Sequence, residues 1–210
     1  MVDSDLVFDL DPYLEKLRRR LNSMPRQHQL LFCLSCLTRL RSGFETWLAR
    51  RPQAAGRLDV LSKEISDCLT NAASNASNKD ECVNELISRL RIESTLLDTN
   101  TPSADELAAQ DYVYGLDSAL RSLRGRTVEN IARVAEIEKS AIDNKINAGR
   151  TEFLPFEQIM MHPLMRAMIA SHDKDLETLK GPTPTREEAM SSSTASNTSS
   201  AARASSRAWT

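Results

Sequence analysis

Apolar residues recur every three or four positions along almost the whole chain, which is the spacing of a helix with one buried face. The pattern predicts about seven helices and one further short turn of helix. Their approximate limits are residues 11–22, 25–42, 54–73, 79–97, 103–123, 127–149 and 156–179, with the short turn at 44–50. Six glycines, eight prolines and few β-branched runs speak against a sheet-rich fold. The sequence therefore predicts an all-α fold, a single compact bundle over residues 8–181.

The second predicted helix is apolar on most of its sides, which is typical of the central helix of a bundle. Leu30, Phe32, Cys36 and Leu40 are among its apolar residues. Gly43 follows this run, and we expect it to end the helix.

Local signals define several other helix limits. Ser103 and Glu106 have the spacing of a capping box, in which each residue hydrogen-bonds the backbone amide of the other. Gly125 and Gly149 are predicted to end the fifth and sixth helices. Pro163 is predicted to kink or interrupt the last helix, because proline cannot donate a backbone hydrogen bond.

The pattern stops after residue 181. Residues 191–210 contain eight serines, three threonines and no acidic residue. Such a composition buries too little apolar surface to offset the entropy of ordering the chain. Residues 182–210 are therefore predicted to form a disordered tail.

Charge is distributed unevenly along a chain whose formal net charge is −2. Residues 16–57 hold ten basic side chains and one acidic one, whereas residues 59–117 hold twelve acidic and four basic ones. Nine of the ten bases are arginine, which pairs well with carboxylates. We therefore expect the two segments to neutralise each other in part. Arg18, Arg19 and Arg20 flank the apolar stripe of the first helix and are the bases we expect to remain available to a partner.

The residues able to carry chemistry form no recognisable catalytic motif. Cys33 and Cys36 form a CxxC in the middle of an apolar helix, away from the helix start where redox pairs occur, so we interpret them as core residues. His172 and Asp175 share a helix face, but the sequence has no Glu-x-x-His motif for a helical metal centre. Walker A, G-x-G-x-x-G and G-x-S-x-G motifs are also missing. The sequence therefore predicts no catalytic residue, no cofactor and no metal ligand.

Three segments resemble the YjaG-like family of bacterial proteins, a domain of unknown function numbered family 416. They are HQLLFCLSCLTRL at 28–40, PSADE at 102–106 followed by YGLDSAL at 114–120 and TVEN at 127–130, and DKDLETLKG at 173–181. They occur in the family's order. The resemblance implies a compact all-helical fold and brings no catalytic residues with it.

Three hypotheses for function follow. The first is a non-enzymatic cytoplasmic interaction module that binds a protein partner or a second copy of itself. The candidate partner-binding residues are Arg18, Arg19, Arg20, Glu81, Glu85, Asp105 and Asp111. The second is an immunity protein that neutralises a bacterial toxin through its acidic surface. The third is an enzyme or nucleic-acid binder without a recognisable motif.

The cytoplasmic expectation rests on two features. The chain starts with an acidic segment rather than a secretory signal, and no apolar stretch approaches the length of a membrane span. A membrane is therefore not an expected partner. Nucleic acid is not an expected partner either, because the whole chain is slightly acidic.

Overall fold

The computed structural model describes residues 11–74, 80–97 and 102–181, apart from the side chains of 52–55 and 80. Within these ranges the chain forms α-helices and one short 3-10 helix, without a strand. In chain order they are α1 Pro12–Asn22, α2 Arg26–Arg50, α3 Pro52–Ala73, α4 Asp80–Glu93, the 3-10 helix Ser94–Leu97, α5 Ala104–Gly125, α6 Val128–Asn147, α7 Phe156–Met161 and α8 Pro163–Thr178. The predicted all-α fold is confirmed. The predicted tail at 182–210 lies outside the described residues.

Helix α2 is the centre of the bundle, as its apolar composition predicted. It packs against α3, α5, α6 and α8. Its buried side chains include Phe32, Cys33, Cys36, Phe44 and Trp47. Helix α1 packs on α6, α4 packs on α3 and α5, and α7 packs on α8. A second, smaller apolar cluster joins α6, α7 and α8 through Ile146, Ile159, Met165 and Met168.

The prediction that Gly43 ends the second helix is wrong. Helix α2 continues through Gly43 to Arg50, and Pro52 begins α3 directly after Arg51. A Cβ atom at position 43 would lie 2.6 Å from the Cβ of Ala108 on α5, which is closer than two carbon atoms can approach. Glycine therefore stands here because α2 and α5 cross closely, and the bonds of the surrounding helix outweigh its weak helix propensity.

The start of α5 follows its sequence signal. The Glu106 amide donates to Ser103 Oγ at 3.3 Å, and the Ser103 amide donates to Glu106 Oε2 at 2.8 Å. This capping box is confirmed. The end of α5 differs from the prediction, because Gly125 is still helical and the left-handed residue is Arg126, at φ 51°.

The last predicted helix is interrupted at Pro163, as expected. His162 is extended, and its Nδ1 accepts a hydrogen bond from the Leu164 amide at 3.2 Å, so it serves as the N-cap of α8. The predicted fourth helix is also shortened, since α4 ends at Glu93 and continues as the 3-10 helix. None of the helices in the described residues combines the length and apolarity that crossing a membrane requires.

The crossing of α2 and α5 generates a test of the packing. Gly43→Ala places a methyl group against Ala108, and we expect it to destabilise the protein by about 1–2 kcal/mol despite the better helix propensity of alanine. Gly56→Ala in α3 is the matched control, because nothing lies within 4 Å of a Cβ built there. The control is expected to stabilise by about 0.5–1 kcal/mol. Urea unfolding of both variants measures the difference, and equal effects would contradict the close crossing.

Candidate functional site

A cluster of buried polar side chains lies where α2, α6 and α8 meet. Cys36 comes from α2, Glu138 from α6 and His172 from α8, and all three are buried. His172 Nε2 is 3.6 Å from Cys36 Sγ and 2.9 Å from Glu138 Oε2. One atom of each residue therefore faces a common point, within 4.8 Å of the other two.

Arg39 ties this cluster together from the side of α2. Its Nε donates to Glu138 Oε1 at 2.6 Å and its Nη2 donates to Glu138 Oε2 at 3.2 Å, which makes a two-point contact. Its Nη1 donates to Asp175 Oδ2 on α8 at 2.7 Å. Nη2 also lies 3.4 Å from Cys36 Sγ. A single guanidinium thus links the three helices through charged hydrogen bonds.

The imidazole of His172 is oriented by neighbours on each side. The ring of Tyr13 stacks on it with the ring centres 6.1 Å apart, and Phe32 meets it edge-on at 5.2 Å. The Tyr13 hydroxyl hydrogen-bonds Nδ1. Because an ionised Glu138 can only accept, Nε2 of His172 carries the hydrogen in this contact. When the ring carries that hydrogen alone, Nδ1 accepts from the Tyr13 hydroxyl.

Burial and neighbouring charges shift the pKa values of these groups in opposite directions. Burial raises the pKa of the Cys36 thiol well above its usual value, so the isolated group stays protonated at neutral pH. Burial also opposes the charge on Glu138, but the hydrogen bond from His172 and the charge of Arg39 hold its pKa below the usual range. The pKa of Arg39 is raised in turn, against burial, by Cys36, Glu138 and Asp175. Glu138 and Arg39 therefore form a charged pair in the interior.

A cavity of about 650 Å³ lies beside the cluster, and Arg39 and Glu138 contribute to its wall. The remaining lining is mainly apolar and comes from α2, α5, α6, α8 and the segment after α6. Large apolar side chains at its edge are exposed to solvent, namely Phe153, Leu164 and Leu107, with exposed fractions of 84%, 47% and 39%. The site is therefore an open apolar cleft with an ion pair in its wall.

Asp111 and Lys145 also line the cleft. Burial raises the pKa of Asp111 to about 6, and the charge of Lys145 acts in the opposite direction. From the sequence, Asp111 is one of the candidate partner-binding residues. The structure places it in the cleft, so its carboxyl group titrates close to neutral pH.

The other residues predicted to bind a partner lie elsewhere. Arg19 pairs with Glu15 on its own helix, and Arg20 pairs with Asp173 and Glu177 on α8. Arg18 has no ion-pair partner among the described residues. Glu81 and Glu85 are exposed on α4, and Asp105 pairs with Arg50. Of the seven residues, Asp111 alone belongs to the described lining of the cleft.

The basic segment is neutralised internally in part, as its arginine content predicted. Acidic residues within 59–117 form ion pairs with some of its arginines. These pairs are Arg41–Asp59, Arg50–Asp105, Arg51–Glu106 and Arg57–Glu93. Arg20 forms an ion pair with an acidic residue of α8, and Arg39 forms ion pairs with acidic residues of both α6 and α8. The sequence argument considered only the neighbouring acidic segment and missed this second set.

The buried cluster itself was missed, although one signal was present. Glu138 stands four residues after Val134 and four before Ile142, on the apolar stripe of its helix. His172 stands in the same way between Met168 and Leu176. A charged or ionisable residue at a core position requires a buried partner. The sequence could not identify that partner, since Cys36 and Arg39 lie on another helix.

The fold is similar to that of a solved structure, a DUF416 family protein from Shewanella baltica OS155. The TM-score is 0.69 and 16% of the residues are identical, over 83% of this chain and 89% of the other. A likeness at this identity shows the fold, and the helical fold implied by the sequence resemblance is thereby confirmed. No protein-family model matches this sequence, and no curated protein matches it.

The Arg39 contact predicts an unequal cost for two arginine substitutions. Arg39→Met leaves Glu138 buried without its charged partner, and we expect a loss of about 3–5 kcal/mol in the free energy of unfolding. Arg19→Met removes a pair that is largely exposed, and we expect a change below about 0.5 kcal/mol. Urea unfolding at neutral pH measures both. A small effect of Arg39→Met would show that the contact contributes little.

The position of Asp111 predicts a pH dependence. A carboxyl group whose pKa is raised by folding favours the folded state when protonated, and this contribution is lost as the pH rises through about 6. Asp111→Asn is therefore expected to be roughly 1 kcal/mol more stable than the unmodified chain at pH 7.5, after allowance for partial exposure. The difference should vanish near pH 4. A stability gain that is equal at both pH values would have another cause.

Proposed function

We propose that this chain is a YjaG-like member of the DUF416 family and that it works as a non-enzymatic protein-interaction module. The shared fold and the three resembling segments support the family. The observation that carries the function is the open apolar cleft between α2, α5, α6 and α8. Its occupant in this proposal is an amphipathic segment of a partner protein.

The rim of the cleft supports a protein ligand. Phe153, Leu164 and Leu107 belong to three different parts of the chain and expose apolar surface around one opening. Clustered exposed apolar side chains are typical of interaction sites rather than of ordinary surface. A groove of this kind accepts the apolar face of a helix, whose side chains at positions i, i+3 and i+4 enter it together. Asp111 and Lys145 provide charges that orient the bound segment.

The reactivity of the nearest thiol supports a binding role over catalysis. Cys36 is buried, and its raised pKa leaves little thiolate to act as a nucleophile. Neither it nor Tyr13 belongs to the lining of the cleft. Of the cluster, Arg39 and Glu138 do line the cleft, and they are engaged with each other.

The immunity alternative has less support than the interaction module. It depended on a separate acidic surface for a basic toxin. Glu93, Asp105 and Glu106 pair instead with arginines of the same chain. Glu81 and Glu85 on α4 and Asp67 on α3 are among the exposed acids that such a partner could use.

A capture experiment with paired variants tests the proposal. Leu164→Glu introduces a charge at the rim of the cleft, and Ile92→Glu introduces the same charge at an exposed position on α4. We expect the unmodified chain and Ile92→Glu to retain the same protein from a native lysate. Leu164→Glu is expected to retain at least about tenfold less of that protein, because a buried unpaired charge costs more than about 1.4 kcal/mol.

The outcomes separate the possibilities. Equal retention by the two variants would place the binding surface outside the cleft, and no retained protein would contradict the interaction module. Retention of the chain itself, sensitive to Leu164→Glu, would identify a homo-oligomer that uses the cleft.

A further inference from the structure

The three buried side chains Cys36, Glu138 and His172 offer a sulfur, an oxygen and a nitrogen to one point. We infer that they form a binding site for a divalent cation of the zinc class. A thiolate, an imidazole and a carboxylate are the ligands that zinc takes in proteins, and a mixed set with sulfur excludes magnesium and calcium, which prefer oxygen alone.

The distance between sulfur and nitrogen fits such a cation, and the distance between nitrogen and oxygen is shorter than the cation requires. With bond lengths of about 2.3 Å to sulfur and 2.0 Å to nitrogen, a tetrahedral ion separates those two ligands by about 3.5 Å. The observed distance from Cys36 Sγ to His172 Nε2 is 3.6 Å. The same geometry separates nitrogen and oxygen by about 3.3 Å. Here His172 Nε2 and Glu138 Oε2 are 2.9 Å apart, so binding of the cation would require the carboxylate, which Arg39 also contacts, to move outward by about 0.4 Å.

The surroundings already hold the ligands in place. Metal-binding histidines and carboxylates are usually oriented by further hydrogen bonds from behind. Tyr13 holds the Nδ1 side of His172, and Arg39 holds Glu138 Oε1 at 2.6 Å. With Nε2 bound to the cation, the imidazole hydrogen moves to Nδ1 and is donated to the Tyr13 hydroxyl oxygen. That oxygen can accept it, so the hydrogen bond is kept with its direction reversed.

Charge also balances when the cation is bound. Without it, one arginine faces the two carboxylates of Glu138 and Asp175, which leaves one negative charge in excess among these three groups. A divalent cation together with the Cys36 thiolate brings the cluster to neutrality. Binding therefore releases one proton, from the Cys36 thiol to solvent, and no electron is transferred.

Three protein ligands leave a fourth coordination position, which a water molecule would fill. Glu138 lines the cleft, so the cleft provides the path by which cation and water reach the site. The cation would join α2, α6 and α8 and stiffen that wall of the cleft. The inference stands on the cluster alone and does not depend on the proposed partner.

The experiment measures zinc and cobalt binding by the purified full chain after removal of metal with a chelator. The exposed Cys82 is replaced by serine in every protein, to remove a thiol that could bind metal at the surface. We expect one Zn²⁺ per chain, and a Co²⁺ complex whose near-ultraviolet charge-transfer band identifies a thiolate ligand. At a zinc concentration about one hundred times Kd, the Tm should rise by about 5–10 °C.

Single substitutions distinguish the proposed ligands from their neighbours. Cys36→Ser and His172→Gln should weaken zinc binding at least about tenfold and abolish the cobalt–thiolate band or shift it. Cys33→Ser is the matched control, a buried cysteine one turn earlier on the same helix, and should leave the zinc affinity unchanged within about threefold.

The opposite results would overturn the site. Absence of zinc binding, or binding that Cys36→Ser and His172→Gln leave unchanged, would show that the cluster is held by hydrogen bonds alone. Where a variant does not fold, the cobalt spectrum and the Tm shift of the chain with its three ligands intact decide the question. A failed capture experiment at the cleft leaves this result unaffected, because zinc binding is measured without any partner.

Discussion

The contact on which the rest of the structure depends is the guanidinium of Arg39 between two carboxylates. Arg39 lies on the central helix, and its partners Glu138 and Asp175 lie on α6 and α8. A buried charge is tolerated only when its partners are in place, so these helices can pack in few arrangements. The contact defines how α2 is rotated about its axis, and that rotation brings Cys36 to His172.

A second constraint acts on the same helix, one turn after Arg39. Gly43 and Gly115 allow α2 and α5 to cross closely, since a Cβ at either position would lie within 3 Å of a neighbouring side chain. Because the residues at this crossing have small side chains, they fill little of the space beside the two helices. Gly43 and Ala108 also line the cleft, so the same residues that bring the two helices together leave the adjacent volume open.

The ion pair and the cleft share one wall of the protein. Glu138 and Arg39 face the cleft, while the same side chains hold the buried cluster behind it. A change in the cluster therefore alters the shape and charge of the surface that a bound segment would contact. Asp111, with its pKa near 6, adds a group at the same opening whose charge changes near neutral pH.

The sequence by itself determined the helices, the capping box at Ser103 and the break at Pro163, because these depend on residues within one or two turns of each other. It also indicated that the arginines pair internally. Local signals misplaced the end of α2 at Gly43, where a contact with a distant helix outweighs glycine's propensity. The meeting of Cys36, Glu138 and His172 was decided only by the tertiary structure. These residues are 34 to 136 positions apart, and the rotation and crossing of whole helices, which no local pattern specifies, determine whether their side chains meet.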